Sequence, residues 1–80
     1  MRLDKYLKVS RLIKRRTVAH DAASGERVTV NGRVAKPSQT VAPGDVIELR
    51  FGQRTVRVQV LTVDEREGKT TAMYKELFTE

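Results

Sequence analysis

The chain has 80 residues, 39% of them apolar, with two Phe, two Tyr, no Trp and no Cys. That is enough for one small domain with a core of mainly Val, Leu, Ile and Ala, and it excludes a disulfide framework or a thiolate metal site. The net charge of +6 points to a polyanionic partner, and no apolar run reaches signal-peptide or membrane-span length, so the expectation is a cytoplasmic protein that engages no membrane.

In chain order, residues 2–9 predict a short helix, because Leu3, Tyr6, Leu7 and Ser10 recur at spacings of three and four. Asp4 and Lys8 stand four apart and are expected to pair. Leu12 and Ile13 are expected to anchor the following turn in the core. A second helix fits residues 16–24, with Val18, Ala19, Ala22 and Ala23 as a narrow apolar stripe of small side chains. Ser24-Gly25 is a good stop, since glycine readily takes the left-handed conformation past a helix end.

The rest reads as strands. Val28 and Val30 alternate with polar residues, and Asn31-Gly32 follows as a strong hairpin signal leading into Arg33-Val34. Pro43-Gly44-Asp45 is a second turn. Ile47, Leu49 and Phe51 alternate with Glu48 and Arg50. Gly52-Gln53 turns into a strand with Val56, Val58 and Val60 on one face. Asp64 to Lys69 is a charged loop, and Thr70 to Phe78 is expected to form a short helix. The fold class is therefore α+β, with two short N-terminal helices on a small, mostly antiparallel sheet and a short C-terminal extension. Residues 1–63 form the main domain with an appended strand, and residues 64–80 a charged loop and C-terminal segment.

Charge is not spread evenly. Residues 1–16 hold seven basic side chains against one acid, while residues 17–80 hold nine of each. Solubility alone calls for interspersed signs; clustering favours a binding surface over a merely solvated face. Arg2, Lys5 and Lys8 lie on or beside the polar face of the first helix, and Arg11, Lys14, Arg15 and Arg16 crowd the turn and the start of the second. A helix start favours phosphate, and the guanidinium fork matches it in two places. Neutralising about five phosphates gives a slope of log K against log salt of roughly −3.5 to −4.5. No long DNA-reading helix or aromatic stacking platform is evident, so the expected target is structured RNA read by backbone and shape.

Nothing suggests catalysis. His20 is the single His and reads as a helix-surface residue. One His without Cys makes no common zinc site, and the sequence calls for no metal and no cofactor. Asp64, Glu65 and Glu67 read as a solvated loop, and Asp45 as a turn residue. No phosphate-binding glycine motif is present.

The ordered set Arg2-Leu3-Asp4-Lys5-Tyr6-Leu7, Lys14-Arg15-Arg16-Thr17-Val18-Ala19, Ser24-Gly25 with Val28, Val30-Asn31-Gly32, Lys36-Pro37-Ser38 and Pro43-Gly44-Asp45-Val46-Ile47 resembles the S-four (αL) RNA-binding domain. The resemblance runs from Met1 to Phe51, about two-thirds of the chain. It implies an L-shaped surface that grips folded RNA, with Arg2, Arg11, Arg16 and Lys36 as the best candidates for contact. Arg15 stands where the family often carries a Ser or Thr that caps the second helix, so that cap is either lost or supplied by Thr17.

Size, the opening MRLDKYLKVSRLIKRRT and the end near Ala72-Met73-Tyr74 resemble the small stand-alone S-four proteins of ribosome-associated quality control, related to the heat-shock protein fifteen family. That likeness implies a non-enzymatic, monomeric factor that contacts large-subunit rRNA and P-site peptidyl-tRNA on stalled large subunits. There it would work beside a tailing factor and support C-terminal tailing of the blocked chain. The alternatives are a heat-shock-type recycling factor, whose longer basic C-terminal extension is missing here, the RNA-binding module of an RNA-modifying enzyme, or a protein-interaction module with incidental charge.

Overall fold

The computed structural model describes residues 1–69 and 72–79, apart from the side chains of Arg16 and Lys69. Two helices, α1 (Leu3–Val9) and α2 (Arg16–Ser24), precede five strands: β1 (Val28–Val30), β2 (Arg33–Val34), β3 (Val46–Phe51), β4 (Arg54–Val60) and β5 (Tyr74–Thr79). A 3-10 turn spans Glu67–Lys69. The strands form one antiparallel sheet in the order β2-β1-β3-β4-β5.

Strand alternation sorts the sheet into two faces. The rows Val30–Ile47–Val58 and Val28–Leu49–Val56 face inward. They join Leu3, Tyr6 and Leu7 of α1, Ile13 of the turn and Ala19, Ala22 and Ala23 of α2 in one core. The small side chains of α2 let it lie close to α1, as their pattern implies. Val18 leaves that stripe and is 48% exposed, because its position on α2 points away from α1 and the sheet. Phe51, at the outer end of β3, is likewise exposed. On the opposite face, Thr29, Glu48, Arg57 and Phe78 share a row.

The turn of the β1–β2 hairpin forms as expected, with Asn31 and Gly32 both at positive φ (53° and 83°). Asn31 also does more: its amide donates to Asp45 Oδ1 at 3.1 Å and accepts from the Val46 N–H at 2.9 Å. Asp45 Oδ2 accepts the Ala42 N–H at 2.9 Å. Asp45 is therefore a clamp between two turns as well as a turn residue.

Two local expectations are corrected, and of the two alternatives for the cap of α2 the lost cap holds. The tail is a strand, not a helix: Tyr74–Thr79 pairs with β4, and Thr70 and Thr71 lie outside the described residues. Leu77 and Phe78 remain exposed, so the apolar residues there reflect strand pairing and not a helical stripe. The left-handed residue ending α2 is Glu26 (φ 61°), one past Gly25. The N–H groups of Glu26 and Arg27 bond back to the carbonyls of Ala23 and Ala22, a Schellman closure that places the left-handed residue at this position. Finally, Arg15 is the residue before α2, and it gives no side-chain cap; Thr17 sits within the first turn, too far along to act as one.

Candidate nucleic-acid interface

The basic segment is organised by α1 and by what folds against its two ends. At its start, the turn after β2 supplies backbone caps: the Leu3 N–H donates to the Gln39 carbonyl (2.7 Å) and the Asp4 N–H to the Pro37 carbonyl (3.1 Å). This brings the backbone that follows Lys36 to the N-terminal end of α1, where Arg2 bridges to Thr40. Asp4 is only 2% exposed. Its expected link to Lys8 gives way to a nearer one: Arg2 grips both carboxylate oxygens, at 3.2 and 3.0 Å. The Lys5 N–H donates to the same carboxylate at 2.8 Å. A buried carboxylate needs such closely aligned donors, and Arg2 supplies them from two residues away.

At the far end of α1 the chain reverses through Arg11, at φ 68°. Its N–H donates to the Lys8 carbonyl (3.0 Å), and the Ile13 N–H reaches the Leu7 carbonyl (3.0 Å). Burial of Ile13 draws the turn inward. Lys8, Arg11 and Lys14 thereby line an open concavity of about 470 Å³, with Val9, Glu65 and Gly68 also among the described residues that line it.

The loop between β4 and β5 forms the facing wall. The Tyr6 hydroxyl donates to the Met73 carbonyl at 2.7 Å, and that carbonyl also accepts the N–H groups of Leu61 (2.8 Å) and Thr62 (3.2 Å). Burial, with a smaller contribution from nearby Tyr74, pushes the Tyr6 phenol up to about 12. Gly68 lies so near Met73 that a Cβ there would fall 2.5 Å from its sulfur. Lys5 reaches across to Glu65 at 2.8 Å.

The sequence-derived candidates thus divide. Lys8, Arg11 and Lys14 converge. Lys5 faces Glu65 of the opposite wall. Arg2 and Lys36 sit at the other end of α1, about 10 Å away by helix length. Arg15 precedes α2; Arg16 begins it, with its side chain outside the described residues. Sequence reasoning missed Glu65, because the return of its loop to α1 depends on the β4–β5 pairing, which the residue pattern had read as a helix. Among the described residues no group of three or more His, Cys, Asp or Glu could hold a metal ion, and no helix is long and apolar enough to cross a membrane.

The S4 domain family matches residues 1–47. The chain belongs to the S4 domain family. It is 53% identical to the RQC P-site tRNA stabilizing factor of Bacillus subtilis (strain 168), over 90% of this chain and 84% of that one. It is 36% identical to heat shock protein 15 of Escherichia coli (strain K12), over 95% of this chain but 59% of that one. The trimeric structure of Vibrio cholerae heat shock protein 15 superposes with a TM-score of 0.83 at 35% identity, covering 96% of this chain and 81% of that one. The S4 match covers both helices, the β1–β2 hairpin and the start of β3; the loop carrying Glu65 and strand β5 lie beyond it.

Proposed function

We infer that this S4 domain protein is an RNA-binding factor of ribosome-associated quality control and not an enzyme. In this reading it engages stalled large ribosomal subunits, contacts rRNA and P-site peptidyl-tRNA, and supports C-terminal tailing of the blocked chain. The observation that carries it is the convergence of Lys8, Arg11 and Lys14 on one groove beside α1, in a chain about half identical to a P-site tRNA stabilizing factor along most of both lengths. Lys5, Arg15, Arg2 and Lys36 add to the cationic surface beyond that groove, and Arg16 is counted with them by its charge and its place at the start of α2. The uncapped start of α2 adds peptide dipoles of the same sign. Residues 1–63 act as the S4 module, and residues 64–80 are an addition from which Glu65 and Gly68 wall the groove. The protein works in the cytoplasm as a monomer, beside a tailing factor on the same subunit. Recycling of blocked subunits in the heat-shock manner is the second reading, favoured by the fold likeness and weakened by the smaller share of heat shock protein 15 that the chain spans.

Co-sedimentation with large subunits carrying peptidyl-tRNA tests the reading. The wild type should bind them in preference to vacant subunits. The triple variant Lys8→Ala, Arg11→Ala, Lys14→Ala should lose on the order of 100-fold in affinity, with a salt slope shallower by roughly 2 to 2.7. A folded triple variant that binds like the wild type would sink the assignment of the groove. Arg2→Ala is the poorer probe, because it strips the guanidinium from a buried carboxylate and so mixes folding with recognition. Loss of C-terminal tailing in cells lacking the protein separates quality control from recycling.

A further inference from the structure

Glu65 is an acid set in a basic groove. It lines the same concavity as Lys8, Arg11 and Lys14 and holds Lys5 at 2.8 Å. A solvated loop could place a carboxylate there by chance, but this loop is ordered from several sides. The Asp64 N–H donates to Thr62 Oγ1 (3.1 Å), the Arg66 N–H to Asp64 Oδ1 (2.8 Å) and the Gly68 N–H to the Asp64 carbonyl (3.0 Å). Thr62 Oγ1 donates to Glu67 at 2.8 Å. The base of the loop is fastened to α1 through the Tyr6 hydroxyl and the Met73 carbonyl, and Gly68 packs directly on Met73. Glu65 is thus presented at a fixed place on the wall.

We propose that Glu65 is a specificity-determining residue: it occupies Lys5 and repels phosphate along one side of the groove, so that stray polyanions bind weakly. The proposal rests on the RNA-binding function above. A pair whose side chains are 46% and 44% exposed is weak enough to be exchanged. An RNA of the right shape can place a phosphate to displace Glu65 and claim Lys5, whereas a flexible strand meets a carboxylate where it would otherwise gain a contact. Discrimination of this kind works by penalising wrong partners, at some loss of raw affinity.

The test compares two RNAs: poly(U), and large subunits carrying peptidyl-tRNA, each titrated at several salt concentrations. Glu65→Gln should tighten poly(U) binding about 2- to 5-fold and steepen its salt slope by roughly 0.7. Binding to the loaded subunit should change less, so the preference for it narrows. Adding Lys5→Ala to Glu65→Gln should remove the extra slope. Lys5→Ala alone, which leaves the loop intact, should cost the poly(U) slope less than it does in the Glu65→Gln background, since Glu65 already competes for that cation, and it should weaken binding to the loaded subunit, which claims Lys5. The proposal is overturned if Glu65→Gln leaves poly(U) binding unchanged or tightens both RNAs equally, or if Lys5→Ala alone costs poly(U) a full contact. Wild type that binds neither RNA would overturn the functional reading and this proposal together. Normal wild-type binding with unaltered variants would overturn this proposal alone.

Discussion

The cations beside α1 and those on the outer face of the sheet are the same residue types in opposite situations. Beside α1, Lys8, Arg11 and Lys14 border a groove whose acid among the described lining residues is Glu65, which pairs with Lys5. On the sheet, Arg50 and Arg57 both close on Glu48, at 3.2 and 2.8 Å, and Arg57 lies 5.9 Å above the Phe78 ring. Hydrogen bonds from Arg57 and then Arg50 hold the Glu48 carboxyl below the usual carboxylate range. One region has committed its positive charge to its own fold; the other leaves it facing a concavity. A count of basic residues does not distinguish the two, and geometry does.

The largest expected contrast follows directly. Arg50→Gln with Arg57→Gln removes two positive charges, nearly as many as the groove triple variant. Yet affinity for loaded large subunits should change by less than about 2-fold, because charges beyond a Debye length of about 8 Å are screened at physiological salt. Co-sedimentation of both variants in parallel checks this. An outer-face loss as large as that of the groove triple would break the distinction and make the sheet a second RNA surface.

A smaller effect is expected from the tie between α1 and the groove wall. Tyr6→Phe removes a buried hydrogen bond to the Met73 carbonyl, which keeps its two backbone donors, and should cost about 1–2 kcal/mol in denaturant unfolding. The pH dependence has a definite sign. The Tyr6 phenol titrates near 12 in the folded chain and at about 10 when unfolded. Between those values the unfolded state has lost the proton that the native state still holds. Wild-type stability therefore falls as pH rises from about 10 to 12. Tyr6→Phe lacks that loss, so the stability gap between the two should narrow across this window. A constant gap would mean that the hydroxyl is not held as described.

Most of the fold was legible because local signals agree with the tertiary ones. Leu3, Tyr6 and Leu7 at helical spacing, the small-residue stripe of α2, Asn31-Gly32 and the alternating valines each specify an element without help from distant residues. The tail failed for a physical reason. Ala72, Met73, Leu77 and Phe78 fit a short helix about as well as a strand, and only the open edge of β4 decides between them. The site followed the same division. Clustering of cations in residues 1–16 was visible in the sequence, but which of them are engaged internally was not. Glu65 and Asp4 select Lys5 and Arg2 through contacts that depend on the final packing.

The smallest predicted effects are the most discriminating. Both helices end in a charged residue held in the left-handed conformation, Arg11 after α1 and Glu26 after α2. That conformation costs an L-residue about 1–2 kcal/mol, partly offset by the greater unfolded-state entropy of a glycine put in its place. Glu26→Gly should therefore raise stability by about 1 kcal/mol, aided by removal of an anion from a helix C-terminus. It should leave RNA binding no weaker, since Glu26 lies outside the groove lining. Arg11→Gly should gain less, about 0.5 kcal/mol, because it forfeits a cation that favours the end of α1. The same change should weaken binding to loaded subunits and reduce the salt slope by roughly 0.7–0.9. Stability and affinity moving in opposite directions at Arg11, and not at Glu26, would mean that the backbone strain at Arg11 is retained because its guanidinium serves the groove. If Arg11→Gly binds as well as the wild type, the two helix ends are equivalent, and Arg11 has no part in recognition.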